Sequence, residues 1–184
     1  DRAVQAGRWL LGLQFPTGSF PSNAVGIRKP RVFNTGMILF GLVALATDPR
    51  AASALKPGDA EAFAGAAQLT AARLTELSEP DGNWIRESFQ GVGHAYHARV
   101  AWAMARAAAT WPSVSREAGD AAVRACEWVL AHQDPDGWFH NNELIDGLPP
   151  LTHTLAYTIR GLLEVVPAGL DELERRSGDL GCRS

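Results

Sequence analysis

Apolar positions fall into two kinds of helix-length stretch that alternate along the chain. In the first kind, apolar residues recur at three- and four-residue steps with polar residues between them. Residues 3–13 carry Val4, Trp9, Leu10 and Leu13 in this way. Residues 58–77 are Ala-rich with polar residues along one face, and a third such stretch runs to His132. A stripe of this width predicts a half-buried helix. The second kind is apolar nearly all round: MILFGLVALA up to Ala46, AYHARVAWAMARAAAT over 95–110, and THTLAYTIRGLLEV over 152–165. A helix apolar on every side is normally a buried one. Breakers punctuate these stretches. Pro16 and Gly18 stop the first helix, Asp48-Pro49 the second, Glu79-Pro80-Asp81-Gly82 the third, and Pro167 the sixth. Asn34 or Thr35 is expected to N-cap the second helix, and Ser113 or Ser115, with Glu117 in the first turn, to open the fifth. No segment alternates with period two for long enough to be a strand. The expected class is all-α, with one domain over residues 1–176 and a C-terminal tail over 177–184.

Each amphipathic stretch ends in the same grammar. WLLGLQFPTGSF (residues 9–20), RLTELSEPDGNW (73–84) and WVLAHQDPDGWF (128–139) align at offsets of 64 and 55 residues. Gln14, Ser78 and Gln133 share a column, as do Gly18, Gly82 and Gly137, and Phe20, Trp84 and Phe139. A period of this length means a repeat of one supersecondary unit. Here the unit is a hairpin: an amphipathic helix, a glycine turn with an aromatic, a loop, and a mostly apolar helix. The chemistry of the turn is structural. Gln at a helix end can satisfy free carbonyls, Gly permits the left-handed turn, and the aromatic folds back over it. Asp134 and Asp136 are therefore read as turn residues.

The order aromatic, aliphatic, three residues, Gln, three residues, Gly, one residue, aromatic resembles the QW motif of the terpenoid cyclase and protein prenyltransferase superfamily. Trp9-Leu10, Gln14, Gly18 and Phe20 fit it, and so do Trp128-Val129, Gln133, Gly137 and Phe139; the middle copy keeps Leu74, Gly82 and Trp84 but has Arg73 and Ser78. The resemblance implies an α/α toroid with the motif helices outside and the apolar helices lining a central cavity. A full ring takes about six hairpins and three are present, so a partial ring is expected, and a homodimer completing the ring is one way to cover its flanks. The superfamily's DxDD acid motif and its Asp-Cys-His zinc set have no counterpart here. The chain looks nearest to uncharacterised bacterial toroid proteins, some of which accompany polysaccharide genes. Glycan-active α/α barrels (lyases, hydrolases, epimerases) share the general architecture.

Composition narrows the partners. The net charge of −3 argues against a general nucleic-acid binder, and the longest apolar run, Met37 to Ala46, is far short of a membrane span. The N-terminus lacks a signal-peptide pattern and a cytoplasmic location is the default expectation; the absence of an initial Met suggests a piece of a longer protein. Cys126, beside Trp128 in a helical pattern, is expected to be a buried free thiol.

Chemistry is expected where loops and the first turns of the apolar helices meet. Three clusters arise: Arg28, Lys29, Arg31 and Asn34; His94, Tyr96, His97 and Arg99; Asn141, Glu143, Thr152, His153, Tyr157 and Arg160. His97, His153 and Tyr157 are the catalytic candidates, for acid–base work. Arg99, Arg160, Asn141, Glu143 and Arg28 are the substrate-binding candidates. Their alternative is structural: histidines that cap helices, and arginines paired with Glu87, Glu143 or Glu164. No metal or cofactor is expected, since no strong ligand signature is present. The functional expectation is an enzyme, or part of one, binding a carbohydrate or isoprenoid substrate in the cavity. A polysaccharide-processing enzyme and a non-catalytic helical scaffold or binding module stand beside it.

Overall fold

The computed structural model describes residues 2–23, 25, 26 and 28–165. The expected start of a further element at 170–176, the tail at 177–184 and Cys182 lie outside the described residues. Within them the protein is all-α: α1 (Arg2–Leu11), α2 (Val32–Thr47), α3 (Pro49–Ala52), α4 (Asp59–Leu77), α5 (Ala98–Thr110), α6 (Ser115–Ala131) and α7 (152–165). A 3-10 turn, Ala95–His97, leads into α5. No helix among the described residues is long and apolar enough to cross a membrane.

The alternation of helix types becomes two layers. α1, α4 and α6 follow one another in one layer, while α2 and α5 pack side by side in the other, with α4 against α2 and α6 against α5. The inner helices approach closely because glycine stands at the contacts. A Cβ on Gly36 of α2 would lie 2.7 Å from Val100 of α5, and one on Gly161 of α7 would lie 2.3 Å from the backbone of Ala98. The core between the layers is built from Leu39, Leu42, Val43, Phe63, Leu74, Leu77, Val100 and Met104, all buried. Cys126 is a free, buried thiol whose pKa burial pushes up to about 12.

Helix boundaries differ from expectation where an expected cap has another task. α2 starts at Val32, ahead of Asn34 and Thr35. Thr35 is buried, and its Oγ1 accepts from the Phe20 N–H at 2.9 Å, so it ties the first turn to α2. α6 opens at Ser115 with Glu117 in its first turn, as expected, but without a side-chain cap, and Ser113 donates to Gln68 Oε1 in α4. Asp48 ends α2 as expected and also caps α3, accepting from the Arg50 N–H.

The three aligned turns share one geometry. Phe15 donates its N–H to the Ser19 carbonyl (2.9 Å) and accepts from Gly18 (2.8 Å). Glu79 does the same with Asn83 and Gly82 (2.9 Å each), and Asp134 with Trp138 and Gly137 (2.8 Å each). The glycines have φ of 98°, 95° and 92°, a left-handed conformation that L side chains avoid. The aromatics that follow, Phe20, Trp84 and Phe139, are all buried.

The first two turns also seat on the next helix of their layer. A Cβ on Gly18 would meet the Leu69 carbonyl oxygen of α4 at 2.5 Å, and one on Gly82 the Arg124 carbonyl oxygen of α6 at 2.2 Å. Gln14 completes the first seam, its Nε2 donating to Ala66 O (3.0 Å) and Thr70 Oγ1 (2.9 Å). The middle copy substitutes other contacts. Trp84 Nε1 donates to Leu74 O at 2.9 Å, and Arg73 pairs with Glu87 at 2.5 Å.

These seams make a graded prediction. Among the described residues Gly137 faces only its own Gln133 side chain, at 3.9 Å, so Gly137→Ala is expected to carry the conformational penalty alone, about 1–2 kcal/mol. Gly82→Ala adds a backbone overlap and is expected to cost at least ~1 kcal/mol more. Urea midpoints of the two variants measure the difference. Equal losses would mean that the seam at Gly82 carries no packing constraint.

Candidate functional site

One face of the layer formed by α2 and α5, extended by α7, gathers several of the candidate side chains. On α2 the half-buried side chains Phe33, Met37 and Phe40 repeat at four- and three-residue steps, as do Arg99 and Trp102 on α5 and His153, Tyr157 and Arg160 on α7. Such steps put each set on one side of its helix. Ring contacts join the three stripes. Phe33 lies 5.4 Å from both Tyr96 and Tyr157, and Phe40 lies edge-on to Trp102 at 4.7 Å.

A cleft of about 290 Å³ opens at the upper end of this face. Its walls are Ser22, Arg31, Phe33, Asn34, Phe89, Tyr96, Leu144, His153, Thr154 and Tyr157. Arg31 donates to the Ser88 carbonyl at 3.3 Å, and among the described residues no carboxylate stands in the wall. Burial pushes the Tyr96 phenol up, and the Arg31 charge opposes that shift.

Below the cleft lies Arg99. Its guanidinium is 5.0 Å from the Tyr157 ring centre, 5.4 Å from Trp102 and 5.6 Å from Phe40. Among the described residues its buried Nε finds no hydrogen-bond partner. Cation–π contacts with three rings attract the charge but leave that donor unused. Arg160 reaches the other side of the same cluster, 5.3 Å from Trp102, and is paired with Glu164. Of the carboxylates expected as partners, Glu164 thus serves Arg160 and Glu87 serves Arg73.

The remaining candidates are dispersed. His153 is exposed in the cleft wall with the Tyr157 ring 5.5 Å away. His97 is buried and does not line the cleft; Tyr96, His94 and Trp84 surround it edge-on at 5.0, 5.5 and 5.9 Å. Asn141 takes a left-handed conformation (φ 60°), and its carbonyl accepts from the Ala95 N–H, bracing the start of the 3-10 turn. Glu143 lies near His94, and Arg28 is exposed over the Phe15 ring at 5.8 Å. Asp136 accepts from the Trp138 N–H and Asp134 pairs with His140, both within the third turn. Among the described residues no group of three or more His, Cys, Asp or Glu side chains comes together as a metal site.

Phe33, Phe40 and Phe89 were the hardest members to see in the sequence. Phe33 and Phe40 sit in a helix apolar all round, where nothing in the pattern separates a core face from a cavity face. Their seven-residue spacing is the one signal that puts them together. No protein-family model, no curated protein and no solved structure matches the chain.

His97 gives the protein a pH dependence. Burial, reinforced by the neighbouring His94, holds its imidazole well below the ordinary pKa. The unfolded chain takes up this proton near pH ~6.5 and the folded chain does not. Stability is therefore intact above about pH 6.5 and falls below it, at about 1.4 kcal/mol per pH unit for this group. Urea unfolding of the wild type and His97→Gln over this range is expected to show a shallower slope in the variant. Parallel slopes would mean that His97 titrates as freely in the folded chain as in the unfolded one.

Proposed function

We propose that the chain is the substrate-binding part of an enzyme of the terpenoid cyclase and prenyltransferase type of toroid, with the inner-layer face as part of its cavity wall. The repeated turns and the two-layer packing support that architecture. The substrate best supported is an anionic ligand with a ring or apolar body, and a glycan bearing a carboxylate fits it first. The observation that carries this is Arg99, a guanidinium set among three aromatic rings with its Nε buried and unpaired among the described residues. Above it, Arg31 and Asn34 add polar donors to a wall of aromatic rings, the combination that stacks on sugar faces and holds an acid group. The cleft, about 290 Å³, is at the small end of ligand pockets and suits a single sugar residue better than a long isoprenoid chain.

His153 and Tyr157 are the groups placed to move a proton on such a ligand. A second reading, a non-catalytic binding module, is favoured by one feature. His153 has Tyr157 beside it but, among the described residues, no carboxylate in the cleft wall to orient its ring.

Calorimetric titration with a uronate oligosaccharide and, separately, an isoprenoid diphosphate distinguishes the substrate classes. Binding of the uronate is expected, weakened about 10–100-fold by Arg99→Gln, the loss of one charge-assisted interaction. Tighter binding of the diphosphate would move the assignment to isoprenoids. Failure of both ligands to bind, or indifference to Arg99→Gln, would sink the anion-site reading. Turnover of a bound uronate that is lost in His153→Gln separates the enzyme from the binding module.

A further inference from the structure

Two loops supply part of the cleft wall: residues 85–93, which carry Phe89, and residues 140–151, which carry Leu144. Both meet one buried side chain, His94, which is 3% exposed. Its Nε2 lies 3.0 Å from the Phe89 carbonyl. A carbonyl only accepts, so Nε2 carries the ring proton and the neutral imidazole has a bare lone pair at Nδ1. Among the described residues that Nδ1 is buried and finds no donor. Its neighbours on the second loop are acceptors: the Glu143 carboxylate and the carbonyls of Glu143 and Asn141. Burial holds the imidazole below its ordinary pKa, while the Phe89 carbonyl, the Glu143 charge and the two loop carbonyls all oppose that shift. The surroundings therefore offer partners to a second ring proton and none to a lone pair.

The other groups facing His94 come from its own turn. Tyr96 stacks on it, 4.6 Å between centres and 17° from parallel, and is itself part of the cleft wall. His97 stands edge-on at 5.5 Å. Burial keeps His97 neutral and a charge on His94 lowers its pKa further, so His94 is the member of the pair that takes the proton. The charged side chains of the first loop are engaged elsewhere, Arg86 with Glu79 and Glu87 with Arg73. Both loops are held in a sparsely populated backbone. Glu87 and Gln90, on either side of Phe89, and Asn141 are the non-glycine residues with positive φ among the described residues, at 59°, 57° and 60°. Such conformations persist where the surroundings over-determine them, and they collect at ligand clamps.

We propose that His94 is the positioning residue of the cleft and takes up a proton together with the anionic ligand, its imidazolium then clasping the loop of Phe89 to the loop at 141–144. The proton comes from solvent and adds to Nδ1, while Nε2–H stays on the Phe89 carbonyl. Nδ1–H then donates to a carbonyl of the second loop, and the charge is answered by Glu143 and, across the Tyr96 ring, by the ligand's acid group. A proton and an anion that stabilise each other bind cooperatively, by the same factor in both directions. The inference rests on the anion reading of the cleft for its trigger and on the two loops alone for the clasp.

Calorimetric titration of the uronate oligosaccharide, in buffers of high and low ionisation enthalpy, counts the protons taken up on binding. Uptake is expected at pH ~6 and little at pH ~8, since an unperturbed imidazole titrates at about pH 6.5 and the ligand's carboxyl stays ionised throughout. The affinity is expected to fall about three- to tenfold over that interval as the imidazolium is lost. His94→Gln can keep a donor on the Phe89 carbonyl but takes no proton, so uptake is expected to vanish and the affinity to be flat in pH. In the wild type, the NMR titration of the His94 imidazole is expected to move to higher pH when ligand is bound. Uronate binding without proton uptake overturns the inference. So does uptake that survives in His94→Gln, which would put the proton on another group such as His153. Should no anion bind, the anion reading fails by itself, and the empty protein decides the clasp. Amide exchange at 88–93 and 141–144, corrected for its intrinsic pH dependence, is expected to slow as His94 takes its proton. Exchange that does not follow the His94 titration overturns the clasp.

Discussion

Everything else in this fold hangs on one close approach: a turn backbone laid against the carbonyl side of a neighbouring helix. Gly18 and Gly82 each sit where a Cβ would overlap a helix carbonyl. The left-handed φ at these positions turns the chain back a few residues beyond the end of an outer-layer helix and swings the following aromatic inward, where Phe20 and Trp84 are buried. Layer spacing and core filling therefore share one residue in each of the first two turns. A substitution there propagates because packed interiors do not deform continuously.

The middle copy shows which parts of the turn are exchangeable. Arg73 and Ser78 replace an aromatic and a glutamine, yet the turn keeps the same pair of backbone hydrogen bonds. The work is redistributed. Trp84 donates its indole N–H to Leu74, and Arg73 carries a carboxylate, Glu87, whose own hydroxyl neighbour is Ser19 of the preceding turn, at 2.5 Å. Glu87 in turn holds a left-handed backbone, and its carbonyl accepts from the Val32 N–H at the start of α2. An ion pair thus joins the first and second turns to the first inner helix. Such a pair between partly buried groups costs desolvation, and it persists here because every member has several partners.

The all-α class was legible in the sequence because it is written in periodicity. Half-buried and all-round apolar helices alternate, and the turn columns recur, so helix type, order and approximate bounds followed from spacing alone. Caps were less legible. Thr35 and Ser113 are good N-cap residues by chemistry, and tertiary partners took them both. The site was legible only in part. His153, Tyr157, Arg99 and Arg160 lie together because four- and three-residue steps place them on one side of their helices. His97 shares a segment with Arg99, but two residues along a helix turn it to the opposite side, into the packing around Trp84. The backbone role of Asn141, which braces the Ala95 N–H, was not legible, since a positive φ is a conformational fact that composition does not report.

The balance of charge on the inner face is the strongest constraint on what it holds. Arg31, Arg99 and Arg160 face it, and Glu164 answers Arg160 alone. A guanidinium against aromatic rings is tolerable because it is weakly hydrated and the ring faces attract it, but rings accept no conventional hydrogen bond from its edge. The unpaired Nε of Arg99 is therefore a cost that the folded protein carries without return. A buried polar atom in this state calls for a partner. The proposed anionic ligand would supply one to Arg99 through a carboxylate or phosphate, and the surrounding rings would exclude the water that otherwise competes. The same aromatic cluster that makes Arg99 expensive would make an anion there worth more than it would be at an open surface.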